Sequence, residues 1–135
     1  TVSGGAITLG TAASKGIVGL PYWAEFKSGK LPYAAGLGTA LGQKQRISTI
    51  ALLLANAHVQ GIRFGRDFND MNTLPLVIDG QAVNTDEIYP FKQTDPITFP
   101  GESDKDARLC LRADAPRPTT VAAAVIGITT HDQAP

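Results

Sequence analysis

The hydrophobic pattern is clearest in two segments, residues 107–113 and 119–128, which a linker containing two prolines separates. Apolar and polar residues alternate strictly in the first segment, which reads Ala-Arg-Leu-Cys-Leu-Arg-Ala. Such alternation is typical of a strand with one buried and one polar face, so Leu109 and Leu111 are expected in the core. The second segment is apolar on both faces after its first two residues, which predicts an interior strand.

Residues 45–57 fit two secondary structures. Ile47, Ile50, Ala51 and Leu54 stand at the i, i+3, i+4 and i+7 positions of a helical stripe, and leucine and alanine favour helices. The same run also fits a strand that is buried on both faces, and periodicity alone leaves the choice open. If it is a strand, a hairpin across residues 56–60 is expected to join it to residues 59–65.

Shorter β-prone pieces occupy much of the remaining chain. A strand is expected over residues 16–26, where Pro21 predicts either an edge position or a break, because proline donates no backbone hydrogen bond. Residues 27–42 read as a long glycine-containing loop, and Asp79-Gly80 is the signal of a tight hairpin turn. Residues 88–91 and 97–99 are short apolar pieces between polar turns.

Glycine and proline are frequent, with 14 and 9 occurrences in 135 residues, which indicates many turns. The sequence therefore predicts an all-β fold, an antiparallel β-sandwich or distorted barrel, with no helix longer than about three turns. At this length, one domain spanning residues 1–135 is the expectation.

Charge and cysteine content reduce the number of functional classes that the sequence fits. Twelve basic residues balance twelve acidic ones, whereas a dedicated nucleic-acid surface usually has a basic excess. Cys110 is the single cysteine, so an intrachain disulfide is impossible and a small core residue is the simplest interpretation. No apolar run approaches the roughly 18 residues of a membrane span. The chain begins at Thr1, so we expect either a processed protein or a fragment of a longer one.

Candidate chemistry is sparse. His58 and His131 are far apart and have no partner at a metal-ligand spacing. Residues 67–70 offer carboxylate and amide oxygens but lack the glycine and closing glutamate of a calcium loop. The carboxylates at 102, 104 and 106 share one loop, whereas a glycosidase pair faces across its substrate. No catalytic residue, metal site or cofactor is therefore expected, and the protein is predicted not to be an enzyme.

Two side-chain groups remain as binding candidates. Tyr22, Trp23 and Tyr33 can form a sugar-stacking platform, although their apolar neighbours favour core packing. Lys44 and Arg46 flank Gln45 on one face of a possible strand. They suit contact with a phosphate backbone, or more often a solvated face or a salt bridge between subunits.

Three segments together resemble one family, the tail tubular protein B or tail nozzle proteins of short-tailed bacteriophages. Residues 16–22 resemble its Val-Gly-Leu-Pro-Tyr strand, and residues 38–54 resemble its basic, Arg-Ile-containing opening of a long apolar segment. Residues 106–121 are similar to its Arg-Leu strand, Ala-Pro-x-Pro turn and Thr-Val strand. The three follow one another in the family's order. Family members are several times longer, so we expect either the C-terminal part of such a protein or a small stand-alone relative.

The resemblance implies a structural role in the virion. Nozzle proteins form a hexameric ring below the portal and adaptor, retain the packaged DNA, and let it pass on ejection. The implied partners are other copies of the chain, the phage adaptor and other tail proteins, with non-specific passage of DNA, after synthesis in the host cytoplasm. The basic residues expected to contact neighbouring subunits or the lumen are Lys44, Arg46, Arg108 and Arg112. The alternatives are a carbohydrate-binding β-sandwich and, less favoured, a small hydrolase.

Overall fold

The computed structural model describes residues 2–20, 22–31, 34–35, 38–39 and 44–130. These residues form a β-sandwich-like fold of antiparallel sheets, which confirms the predicted all-β class, and the described sheets do not close into a barrel. The one helical segment among them is a short 3-10 helix (Val59–Gly61). The strands are β1 (Val2–Ser3), β2 (Ala6–Ile7), β3 (Ala24–Lys27), β4 (Ala34–Ala35), β5 (Gly38–Thr39), β6 (Gln45–Ala57), β7 (Arg63–Asp67), β8 (Asp70–Thr73), β9 (Val77–Ile78), β10 (Gln81–Ala82), β11 (Tyr89–Gln93), β12 (Ile97–Thr98), β13 (Cys110–Ala113) and β14 (Thr120–Thr130).

Strand β6 is the centre of the first layer, here called sheet 1. It pairs with β11 and β12 along one edge and with β14 along the other. The open choice over residues 45–57 is thus settled as strand, because partners on both edges satisfy its backbone hydrogen bonds. Tertiary pairing outweighs the helix propensity of leucine and alanine here.

The second layer, sheet 2, has the order β3–β13–β7–β8. Leu111 of β13 pairs with Phe64 of β7, and both side chains are buried against sheet 1. The rings of Phe64 and Phe99 lie 5.8 Å apart between the layers. Leu109 and Leu111 are both in this core, which confirms their predicted burial. The strand itself is shorter than predicted, since it begins at Cys110 rather than at residue 107.

The chain changes layers twice at one end of the sandwich. The predicted hairpin across residues 56–60 is wrong, because β6 belongs to sheet 1 and β7 to sheet 2. The 3-10 helix makes this crossing, and the linker between β13 and β14 makes the return. The two crossings are joined where the His58 amide donates a hydrogen bond to the carbonyl of Pro118 (2.9 Å).

Strand β14 is an edge strand, so its predicted interior position is wrong. It extends from Thr120 to Thr130 and, among the described residues, pairs with β6 alone. Its apolar pattern has a different cause. Val121 and Ile126 pack against the core, whereas Ala123 and Val125 belong to the exposed outer face of sheet 1.

The predicted strand over residues 16–26 is reduced to its last part. Only β3 pairs with β13, and residues 16–20 lie outside any strand and are exposed. Pro21 itself lies outside the described residues. The predicted Asp79-Gly80 turn is confirmed, because both residues have positive φ (50° and 76°) between β9 and β10.

Candidate interaction surface

The free edge of β14 is long and uncharged. The strand reads Thr-Val-Ala-Ala-Ala-Val-Ile-Gly-Ile-Thr-Thr and contains no charged residue and no proline. Natural edge strands are usually short, or carry lysines, prolines or bulges that prevent pairing with another chain. This strand has register shifts after Val121 and after Gly127, yet eleven residues of uncharged edge remain. Such an edge is suited to pairing with a strand of another molecule.

The face of sheet 1 that points away from the core carries several apolar side chains beside the polar Gln93 and Thr120. Directly paired residues of an antiparallel sheet project to the same face. Phe91 pairs with Ala55, and Ala123 pairs with Leu53 one row further along. Phe91 is 65% exposed and Val125 is 60% exposed. We call this set the outer patch; its members are Leu53, Ala55, Phe91, Ala123 and Val125.

An apolar groove of about 420 Å³ lies between the two sheets, where β3 and β14 approach each other. Ile62, Leu111 and Val121 contribute apolar side chains to its lining. Its two charged residues are paired with one another, since an Arg112 guanidinium nitrogen lies 2.6 Å from a carboxylate oxygen of Glu25. The groove therefore presents mainly apolar side chains, because the paired Glu25 and Arg112 belong to the face of sheet 2 opposite to that of Leu111.

The aromatic residues before β3 are exposed, so their predicted core packing is wrong. Trp23 is 73% exposed and Tyr22 is 51% exposed. Both precede the first paired residue of β3, so no neighbouring strand covers them. The Tyr22 hydroxyl donates a long hydrogen bond to the carbonyl of Arg117 (3.4 Å). Tyr33, the third member of the predicted platform, lies outside the described residues.

The four basic residues of the predicted contact set fall on both layers. Lys44 and Arg46 are exposed on either side of buried Gln45, as the alternation predicts, and neither has an ion pair among the described residues. Arg108 and Arg112 are half-buried rather than exposed, because each is held by a carboxylate of its own chain. The structure brings Lys44 and Arg46 together on sheet 1 and leaves the other two with sheet 2.

Those carboxylates come from nearby segments. The Arg108 Nε donates to Asp106 (2.8 Å), and Arg112 Nε donates to Glu25 (2.8 Å), which stands opposite it in the strand register. The Arg112 guanidinium also lies over the ring of Phe68, 5.2 Å from its centroid. A paired arginine has less capacity to bind a new anion than the unpaired Arg46.

The ring of the buried His58 is held by hydrogen bonds to the backbone of its own chain. Nδ1 of His58 accepts a hydrogen bond from the Gln60 amide (3.1 Å), so Nε2 carries the proton that it donates to the carbonyl of Thr85 (2.6 Å). Both ring nitrogens are thereby occupied. Within the described residues, no group of three histidine, cysteine or acidic side chains is arranged to hold a metal. His131 lies outside them.

Two titratable groups are shifted by their surroundings. Burial raises the pKa of the Cys110 thiol, whose Sγ donates to the carbonyl of Arg66 (3.3 Å). The hydrogen bond and charge of Lys15 hold the pKa of Asp86 below its ordinary value, with Nζ and Oδ2 2.9 Å apart on the protein surface.

Sequence reasoning missed the groove and the outer patch because each combines residues that are distant along the chain. One signal was available: a long apolar strand without charge or proline is compatible with an exposed edge as well as with an interior position. No helix in the described part of the chain is long and apolar enough to cross a membrane. No family model, curated protein or solved structure matches this chain.

Proposed function

We propose that this chain is a structural component of a bacteriophage tail, part of a nozzle ring through which DNA is ejected. The carrying observation is the uncharged free edge of β14 together with the exposed outer patch beside it. Monomeric proteins rarely leave such surfaces uncovered, and they mark contacts with other protein chains. The type of assembly is inferred from the resemblance to nozzle proteins, which covers residues 16–22, 38–54 and 106–121 in the family's order.

The charge balance supports the same role. A net charge of zero gives little repulsion between copies, which favours close association. It also suits a channel wall, because a strongly basic lumen would retain DNA by releasing its counterions. Contact with DNA is then loose and independent of sequence. Lys44 and Arg46 are the basic residues of the predicted set that remain available for it, and the protein acts through contacts rather than through catalysis.

Reconstruction of the virion with this chain traced tests the proposal. The expected result is a ring of copies around the tail axis, in contact with the adaptor, with the outer patch covered by a neighbouring subunit. A position outside the tail axis, as a capsid decoration or as a host protein absent from the particle, would overturn the assignment.

A carbohydrate-binding module is the second candidate, and the exposure of Trp23 and Tyr22 favours it. Exposed aromatic rings can stack on the apolar face of a sugar. Binding to a glycan array by a monomeric protein, abolished by Trp23→Ala but not by Phe91→Ala, would support this function over the nozzle. The Phe91 variant is the matched control because that ring is also largely exposed but lies on the outer patch.

A further inference from the structure

Residues 8–20, here called the arm, lie outside the sheets and end in a short apolar run at residues 17–20. No residue of the arm belongs to a strand, and all of them are exposed. Ile17, Val18 and Leu20 supply large apolar side chains, and Leu20 is 88% exposed. Three such residues within four positions form a contiguous apolar stretch rather than scattered surface hydrophobics.

Contacts at the end of the sandwich hold the arm against the linker between β13 and β14 of its own chain. Lys15 is paired with Asp86 (2.9 Å), and Gly19 lies against Pro116 so closely that an added Cβ would be 2.8 Å from the proline Cβ. The Tyr22 hydroxyl bonds to the linker that also contains Pro116. The arm thus lies against the linker, and none of its residues lines the groove of its own chain.

The groove between β3 and β14 has the complementary surface. It combines an apolar lining with two strands that each have one edge unpaired among the described residues. An extended segment entering it can gain backbone hydrogen bonds from a strand edge and bury alternate side chains against the lining. Because Glu25 and Arg112 neutralise each other, a segment without charge is the matching ligand.

We propose that residues 17–20 of a second copy occupy this groove as an added strand. The segment is uncharged, and Val18 and Leu20 are two positions apart, so both side chains of an extended strand point to the same side, into the groove. Pro21 follows at once and ends the pairing, because it has no amide hydrogen. Zero net charge leaves the approach of two copies unopposed.

The arrangement is head to tail, because the donating arm and the accepting groove are different surfaces of each copy. Every copy can give its arm to one neighbour and receive an arm from the other. Such heterologous contacts close into rings when the rotation between copies allows it. The inference rests on the proposed function only in that a nozzle ring requires copies to associate.

Disulfide trapping between two variants of the full chain tests the pairing. One variant carries Leu20→Cys and the other Ala122→Cys, with Cys110→Ala in both and different affinity tags. The mixture is expected to form the mixed disulfide far faster than a control mixture of Leu20→Cys with Thr73→Cys, because Thr73 is exposed on β8 at the opposite edge of sheet 2. Equal trapping in the two mixtures would overturn the inference.

Sedimentation velocity gives a second, independent measurement. The Leu20→Asp change is expected to weaken self-association at least about tenfold, since it removes a leucine from the groove. Leu9→Asp is the matched control, because Leu9 is an exposed leucine of the same arm outside residues 17–20. A wild-type chain that stays monomeric, or equal weakening by both changes, would refute the pairing.

The two proposals fail separately. If the copies associate but the mixed disulfide does not form, the arm exchange is refuted and the proposed nozzle ring is unaffected. Trapping by a protein that lies outside the tail axis in the virion would remove the nozzle assignment and leave the arm exchange standing.

Discussion

Among substitutions in β13 and the residues just before it, we expect Leu109→Ala to cause the largest loss of folding stability. Its side chain is only 2% exposed and belongs to the cluster between the two sheets. Leucine-to-alanine changes in cores cost about 2–5 kcal/mol, and the cost rises with the cavity that remains. Hydrogen bonds between the Leu109 backbone and Ser28 hold this position in place and limit collapse around it. We therefore expect a loss near about 4 kcal/mol, a large part of a typical domain stability of about 5–15 kcal/mol.

Smaller losses of stability are expected at two neighbouring positions, which serve as comparisons for Leu109. Leu111 is 7% exposed and lines the groove between β3 and β14, so its cavity opens toward solvent. Leu111→Ala should therefore cost less, about 2–3 kcal/mol. Arg108→Ala removes a surface ion pair, in which the side chain of Arg108 is 32% exposed and that of Asp106 is 56% exposed. Such pairs contribute about 0–1 kcal/mol to stability.

Equilibrium unfolding in urea, followed by circular dichroism, measures all three changes. With a slope of about 2 kcal/mol per molar, the Leu109 variant should lose about 2 M in its midpoint, and the Arg108 variant less than about 0.5 M. Slopes equal to that of the wild type would show that the same surface is exposed on unfolding. Equal, small losses at all three positions would refute the assignment of alternate residues to the core.

Three other changes test separate parts of the structure. Gly65→Ala should cost about 1–3 kcal/mol and raise amide exchange along β8, because the added Cβ meets the backbone carbonyl of Asp70; unchanged exchange would contradict the close approach. Burial raises the pKa of Cys110 above its ordinary 9.0, so the folded chain holds the thiol proton more tightly. The resulting stability is present below about pH 9 and is lost as the pH rises through the folded value. The difference in unfolding free energy between wild type and Cys110→Ala should shrink over that range, and a constant difference would be evidence against it. His58→Ala should cost about 2–4 kcal/mol in urea unfolding, since it leaves the Gln60 amide and the Thr85 carbonyl without their partners; a near-neutral result would show that the imidazole is not needed to satisfy these two groups.

The sequence was most informative where local chemistry determines local structure. Alternation predicted the burial of Leu109 and Leu111, and the turn residues Asp79 and Gly80 predicted their hairpin. It was least informative where distant segments decide. The strand over residues 45–57 exists because β11, β12 and β14 satisfy both of its edges, and no local pattern encodes those partners.

The candidate surface was harder to predict than the fold, for a related reason. Apolar residues on both faces of β14 fit an interior strand as well as an edge strand whose outer face is apolar. For Trp23 the error was in the opposite direction. Its apolar neighbours predicted core packing, but the residue is exposed, because it precedes the first paired residue of β3. Arg108 and Arg112 belong to the predicted polar face of the strand and were expected to contact other subunits or the lumen, but Asp106 and Glu25 of the same chain hold them partly buried.

The pairing of β6 with β14 also determines when the chain can fold. Thr120 pairs with Ala55, 65 positions earlier, and Thr130 pairs with Gln45, 85 positions earlier. Contacts so distant along the chain make folding slow, because much loop entropy is lost before they form. During synthesis, β6 leaves the ribosome long before its partner exists, with apolar residues on both faces. A chain that stalls before residue 120 therefore presents a ready site for aggregation or for capture by chaperones.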